Sequence, residues 1–124
     1  MDALHQALKI AFASEFAFYL KAHYFHWNVE GPLFTQMHDL FGTIYEEVYG
    51  SIDAFAENIR KVGAYTPGSF TRFSALSGVD DELSVPSADQ MVAELLQDSE
   101  KMSEMFRIVF RAAEELGQHG LSDF

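Results

Sequence analysis

From Leu33 to Val62 apolar residues recur at helical spacing along one side of the chain: Phe34, Met37, Phe41, Ile44, Val48, Phe55 and Ile59. Tyr45, Tyr49 and Ile52 add a second apolar flank. This width constrains the fold more than any other feature, because a helix that is apolar on two sides packs on two sides. Val62-Gly63 supplies a C-terminal stop, and Arg60 and Lys61 sit favourably against the negative end of the helix dipole.

The remaining segments supply partners for such a rod. Residues 3–29 read as a long helix, with Leu4, Leu8, Phe12, Phe16, Tyr19, His23 and Trp27 at three- and four-residue steps and no internal Gly or Pro. Glu30-Gly31-Pro32 ends it, and the second helix then spans 33–62. Residues 64–86 are less regular: Thr66-Pro67-Gly68 is a turn signal, 70–76 forms a short helix, and Asp80-Asp81-Glu82 is solvated. Ser87 with Gln90 fits a capping box that starts a third long helix over 87–116, with Val92, Leu95, Met102, Phe106, Val109 and Ala113 as its packing stripe and Gly117 as its close. Gly120 to Phe124 reads as the approach to another helix, begun at 121–124 with Ser122 or Asp123 as its cap. No segment shows sustained strand alternation and no internal repeat is present. The expected fold is all-α, a single domain over 1–124. Helical rods of about 40 Å need a fourth rod or a neighbouring subunit to cover their apolar sides, so an obligate oligomer is expected.

Composition narrows the function. Apolar residues make up 48% of the chain, enough for a core. The absence of cysteine removes disulfides, thiol chemistry and Cys-based zinc sites. Residues 1–20 lack the pattern of a signal peptide, and no apolar run approaches the roughly 20 residues that span a bilayer. A soluble, cytoplasmic protein with no membrane partner is the expectation. Nineteen acidic side chains against eight basic ones give a net charge of −11, which repels polyanions, and no Lys/Arg-rich tail offsets it. Such a surface either serves solubility or draws cations toward an acidic interior or pore.

Four residues stand out as metal ligands: His26, His38, Asp53 and Glu57. His26 precedes the Gly31-Pro32 bend and His38 follows it, so antiparallel helices bring the two imidazoles to one height. Imidazole with carboxylate suits divalent first-row metals such as iron. Asp53 and Glu57 lie one turn apart on one face of the second helix. His38 and Asp53, however, are separated by about 22 Å of helical rise and cannot touch one ion within one chain. Two copies of helix 33–62 crossed antiparallel near Glu46 and Glu47 would set the histidines of one beside the carboxylates of the other, twice per dimer. Duller readings stand beside this one: His38 as an interface histidine, Asp53 and Glu57 as solvated acids, His26 as a helix-end residue. His23 lies close enough to His26 to support the ligands or line the approach to them, while His5 and His119 lack comparable partners. Trp27, Tyr45 and Tyr49 are packing groups that, near an oxidising centre, would also intercept radicals.

The run His26-Trp27-Asn28-Val29-Glu30-Gly31-Pro32-Leu33-Phe34, followed by His38, Tyr45-Glu46-Glu47 and Asp53 through Ala56-Glu57 to Ile59-Arg60, closely resembles the mini-ferritins, which include the starvation-induced DNA-protection (Dps) proteins. The likeness covers most of residues 15–63, and a weaker one continues at Gly63, at Pro67-Gly68 and through the third helix to Gly120-Phe124. The resemblance implies a ferritin-like helical bundle with a ferroxidase centre between two-fold-related subunits. Carried over, His26 and His38 come from one subunit, Asp53 and Glu57 from the other, and Glu57 is the main bridging carboxylate. It further implies iron, two ions per centre, oxidation of Fe(II) to Fe(III) by hydrogen peroxide or less readily oxygen, and storage of the mineral in a hollow dodecamer, with protection from peroxide as the result.

Two departures qualify that picture. Gly42 stands where many relatives carry an aspartate, which weakens the place of a second iron. Relatives also continue into a fourth long helix where this sequence stops, so the expected bundle lacks most of that helix and a closed dodecamer is not implied. A ferroxidase is the reading preferred. A catalytically weak structural or assembly protein is the alternative from another class, and a DNA-binding protection protein ranks behind both on charge.

Overall fold

The computed structural model describes residues 1–117 and contains four helices: α1 (Asp2–Asn28), α2 (Phe34–Lys61), α3 (Phe70–Leu76) and α4 (Ala88–Glu115). The expected helix start at 121–124, the likeness at Gly120-Phe124 and His119 lie outside the described residues. Among the described residues there is no strand, and the fold is the all-α, ferritin-like bundle.

Helix α1 is the hub, packed against α2, α3 and α4. It runs antiparallel to α2. At one end the His5 ring donates from Nε2 to the Val62 carbonyl at 2.7 Å, and at the other His26 meets His38. The turn between them is held by Gly31, whose φ of +112° lies where a side chain would be strained. Gly63, at φ +90°, ends α2 in the same way.

The core divides in two. Leu4, Leu8 and Phe12 of α1 pack with Phe55 and Ile59 of α2 and Val109 and Ala113 of α4. Phe18, Ala22 and Phe25 pack with Phe41, Met91, Leu95 and Met102. A fully buried phenylalanine such as Phe25, Phe41 or Phe55 contributes about 1.5–3 kcal/mol by leaving water. Ser14 and Glu15 fall between the two clusters along α1, and both are buried.

Here the α1 stripe departs from the expected one. Beyond Phe12 the buried positions are Ala13, Ser14, Glu15, Phe18, Lys21, Ala22 and Phe25 rather than Phe16, Tyr19, His23 and Trp27. Repeated four-residue steps drift around a helix of 3.6 residues per turn, so the expected aromatic row leaves the core and becomes a second face. There Phe16 stacks on Phe73 of α3 at 4.6 Å and Tyr19 meets Tyr49 of α2 at 4.9 Å.

Lys21 anchors α4. Its side chain is 7% exposed, and its ammonium reaches Asp98 at 2.9 Å and Glu94 at 3.3 Å and donates to the Asp80 carbonyl at 3.0 Å. Burial pulls its pKa down, but the two carboxylates outweigh burial and hold it above the ordinary lysine value. The start of α4 realises half of the expected capping box. The Ser87 hydroxyl accepts from the Gln90 amide N–H, whereas the Gln90 side chain turns forward to Glu94.

Between α2 and α4 an apolar groove lies open, lined by Leu40, Phe41, Ile44, Val92, Leu95 and Leu96. Val92 and Phe106, expected in the α4 stripe, are exposed on that helix together with Ile108 and Phe110.

Candidate metal centre

The α1–α2 turn sets His26 and His38 face to face, with ring centroids 3.8 Å apart and planes within 20° of parallel. Each ring is held by the other's main chain. His26 Nδ1 donates to the His38 carbonyl at 2.7 Å, and His38 Nδ1 donates to the His26 carbonyl at 2.9 Å. A carbonyl only accepts, so Nδ1 carries the proton in both rings and the lone pair of each neutral ring resides on Nε2. A histidine that ligates a metal usually has its other ring nitrogen tied in this manner.

Gly42 borders this pair from α2. A Cβ there would stand 3.2 Å from both Cε1 and Nδ1 of His26. The glycine therefore gives the imidazole its room, which accounts locally for a helix-weakening residue inside α2.

Aromatic rings surround the histidines. Phe34 stacks on His38 at 5.2 Å, and Tyr45 lies 5.1 Å from His26. His23 stacks almost flat on Tyr45 at 3.7 Å and 6°, and its other neighbour Trp27, 57% exposed, lies at 4.1 Å. Tyr49 is farther out, beside Tyr19 rather than the histidine pair. The Tyr19 hydroxyl is 3.0 Å from His23 Nδ1. A phenol is the stronger acid and imidazole nitrogen the stronger base, so Tyr19 donates. Burial raises the Tyr19 pKa, with Tyr49 and Tyr45 adding to the effect, whereas burial and then the neighbouring His26 lower that of His23.

Asp53 and Glu57 occupy the far half of α2, and both are exposed. Since α2 is continuous from Phe34 to Lys61, Asp53 stands about 22 Å of rise from His38. One chain thus brings the two histidines together and leaves the two carboxylates apart from them. Among the described residues no three His, Asp or Glu side chains gather closely enough to hold an ion within the chain.

Three polar residues escaped the reading of the sequence. Tyr19 looked like a core residue, although its four-residue offset from His23 was a usable signal for the bond between them. Lys21 gave no sign of its burial. Glu15 is 8% exposed, accepts a hydrogen bond from Ser51 Oγ at 3.1 Å, and has no hydrogen-bond partner for Oε2. Burial raises its pKa, and the Ser51 bond offsets only part of that.

The arrangement is an antiparallel helical bundle that presents two tied imidazoles at one end. Comparison with known proteins places it. Residues 5–124 match the ferritin-like domain family. A low-temperature-induced protein of Nostoc sp. is 37% identical over 114 residues, which covers 90% of this chain and 64% of that protein; the alignment thus spans a little under two thirds of that relative. A DNA protection during starvation protein of Brevibacillus brevis is 28% identical over 105 residues, covering 85% of this chain and 70% of that one. The crystal structure of Dps from Staphylococcus aureus superposes with a TM-score of 0.90 at 32% identity, over 97% of this chain and 80% of that one. Dps from Vibrio cholerae, described as a ferritin-like diiron-carboxylate protein, superposes at 0.92 with 25% identity, over 97% and 76%. The chain belongs to the ferritin-like family, in its mini-ferritin (Dps) group.

Proposed function

We propose that this protein binds ferrous iron and oxidises it to ferric iron at a centre built by two copies, with His26 and His38 from one and Asp53 and Glu57 from the other. The observation that carries this reading is the pair of reciprocal Nδ1–carbonyl bonds, which leaves both Nε2 lone pairs for a metal. The second apolar flank of α2 supplies a surface on which a two-fold partner can lie antiparallel. Its exposed Tyr49 and Asp53 would then be covered.

The stacking of the rings bears on the number of ions. A ligated metal lies close to the plane of its imidazole, about 2.1 Å from the nitrogen. Two nearly parallel planes 3.8 Å apart share no such point. Each histidine therefore serves its own ion, and a carboxylate reaching between them, the role proposed for Glu57, bridges the two. Two ferrous ions then supply the two electrons that cleave the O–O bond of hydrogen peroxide, and with two protons the products are two waters. Carboxylate oxygens, hard and anionic, favour the ferric product. Release of hydroxyl radical is avoided, so peroxide protection and storage of the ferric product follow from the same chemistry. Oxygen is the slower oxidant in this scheme.

The names of two relatives refer to DNA protection. That role is not extended to this chain, whose net charge of −11 opposes a polyanion.

Anaerobic ferrous titration tests the shared centre. His38→Ala and Glu57→Ala each lose binding alone. When the two variants are mixed and allowed to exchange subunits, each mixed dimer regains one intact centre, so about one site in four returns. Full binding by either variant, or no recovery on mixing, would contradict a shared centre. Wild-type protein that takes up no ferrous ion would leave a structural or assembly role in its place.

A further inference from the structure

Along α1 the residues turned toward the segment between α3 and α4 form a row of their own, Ala17, Leu20, Tyr24 and Trp27, at three- and four-residue steps. Across from them that segment contributes Asp81, Glu82 and Leu83, and a cavity of about 300 Å³ lies between. Such a volume suits a small ligand. The segment is tied down on both sides of the cavity. Its Gly78 N–H donates to Ser14 Oγ and its Asp80 carbonyl accepts from Lys21, while the Tyr24 hydroxyl donates to the Ser84 carbonyl. Both walls are therefore fixed before any ligand arrives.

The lining has two characters. Leu20, Trp27 and Leu83 are all exposed. Scattered apolar side chains are ordinary on a surface, but three around one cavity make a patch that a hydrocarbon group would cover. Trp27 stacks on His23 at 4.1 Å and still leaves 57% of its surface open. Beside this patch stand the carboxylates of Asp81 and Glu82. The Ser84 N–H and hydroxyl both donate to Glu82 Oε2, at 3.0 and 2.8 Å, and these bonds lower its pKa. The cation in the lining, Lys21, is already taken by Asp98 and Glu94. The cavity is thus negative and apolar at once. An anion is repelled there, and a neutral hydrocarbon would strip water from the acids without replacing it. An ammonium that carries alkyl groups satisfies both characters, because its charge meets the acids and the indole while its carbons meet the leucines.

We propose that the cavity between α1 and the segment 81–83 binds a small alkylammonium ion, held by Trp27 and the carboxylates of Asp81 and Glu82 and flanked by Leu20 and Leu83. Binding here needs no metal and does not depend on the ferroxidase reading.

Trp27 is the single tryptophan of the chain, so intrinsic fluorescence reports on this cavity. The intact protein in its native assembly is titrated, with a chelator present and ionic strength held by potassium chloride. The probes are choline and its uncharged carbon isostere, 3,3-dimethylbutan-1-ol. The expected result is a saturable change with choline and a response at least tenfold weaker with the alcohol. Butyltrimethylammonium, with more hydrocarbon for the leucines, binds severalfold tighter than choline. Calorimetry repeats the titrations in variants. Asp81→Asn combined with Glu82→Gln weakens choline at least tenfold, whereas Glu100→Gln, a charge loss at an exposed position on α4, leaves it within twofold. Trp27→Ala weakens it severalfold, and thermal unfolding checks that this variant is folded. Leu83 is 92% exposed, so Leu83→Ser leaves the fold intact and supplies an independent perturbation that removes the preference for the butyl chain. A change that does not saturate, an equal response to the alcohol, or full binding by the carboxylate double variant overturns the site. Protein that sediments with phosphatidylcholine vesicles yet ignores free choline overturns a site for a free cation. Ferrous uptake is measured on separate, chelator-free samples, so failure of either reading is seen without the other.

Discussion

His26 and His38 each donate a ring N–H to the other's main-chain carbonyl, at 2.7 and 2.9 Å, so one pair of residues pins the turn end of a helical hairpin and orients two potential ligands. Neither ring moves without loosening the hold on its partner.

Gly42 tests that coupling. Gly42→Ala adds about 1 kcal/mol of helix propensity to α2, yet its Cβ would press on His26 from 3.2 Å. The expected outcome is a nearly unchanged melting temperature with ferrous affinity lowered by about tenfold, the usual order for disturbing a group that orients a ligand. Paired calorimetric and anaerobic titrations measure both. Unchanged affinity would show that the His26 ring has slack.

Glu15 gives the pH dependence. Its pKa is raised in the folded protein, so the folded state holds this proton more tightly than the unfolded chain. Its contribution to stability is therefore lost as pH climbs from the ordinary glutamate value through the raised one. Glu15→Met removes the buried carboxyl, and Ser51 keeps its bond to the Val48 carbonyl. Near neutral pH the variant is expected to be more stable by about 1–3 kcal/mol, the cost of an unpartnered buried polar group. The gain shrinks on acidification toward the unperturbed range. Denaturant unfolding across pH measures it; a gain that did not vary with pH would assign the effect to packing instead.

Lys21 predicts the opposite sense. Lys21→Ala strands Asp98 and Glu94 without their buried cation, and the expected loss is about 3–5 kcal/mol. Lys21→Met combined with Asp98→Leu costs less, because the most buried pair of charges leaves together and only Glu94, 15% exposed, loses its partner. In the wild type, the raised pKa makes this contribution complete below the ordinary lysine value and removes it as pH rises past the folded one. Urea unfolding of the single and double variants, extended to alkaline pH, reads both effects.

Ser14 is a smaller lock. Its hydroxyl donates to the Ile10 carbonyl and accepts from the Gly78 N–H at 2.9 Å, holding the segment between α3 and α4 against α1. Ser14→Ala is expected to cost about 1–3 kcal/mol and to speed amide exchange at Gly78 and Val79 before the rest of the chain. Uniform acceleration would mean that the segment unfolds only with the whole molecule.

Much of this architecture was legible because helices advertise themselves locally. Gly31 and Gly63 mark chain reversals, Ser87 caps its helix, and α2 carries an apolar stripe through Phe41, Phe55 and Ile59 that lies in the core. The α1 stripe failed beyond Phe12 because its true core face passes through Glu15 and Lys21, where a polar letter conceals a buried position. Spacing brought His26 and His38 together, since a hairpin pairs residues equidistant from its turn. No local rule foretold that each would hold the other through its backbone, nor that Gly42 would serve His26 rather than a helix neighbour. Asp53 and Glu57 were legible only as a pair, one turn apart.

With His26 and His38 as the proposed metal ligands, their mutual grip would make metal capture conditional on folding. In a nascent or frayed hairpin the carbonyls that steer the two rings are elsewhere, and each imidazole swings freely with either nitrogen protonated. Ferrous iron then finds no oriented ligand pair on an immature chain. On that proposal the chain becomes competent to take up ferrous iron only once the hairpin has formed.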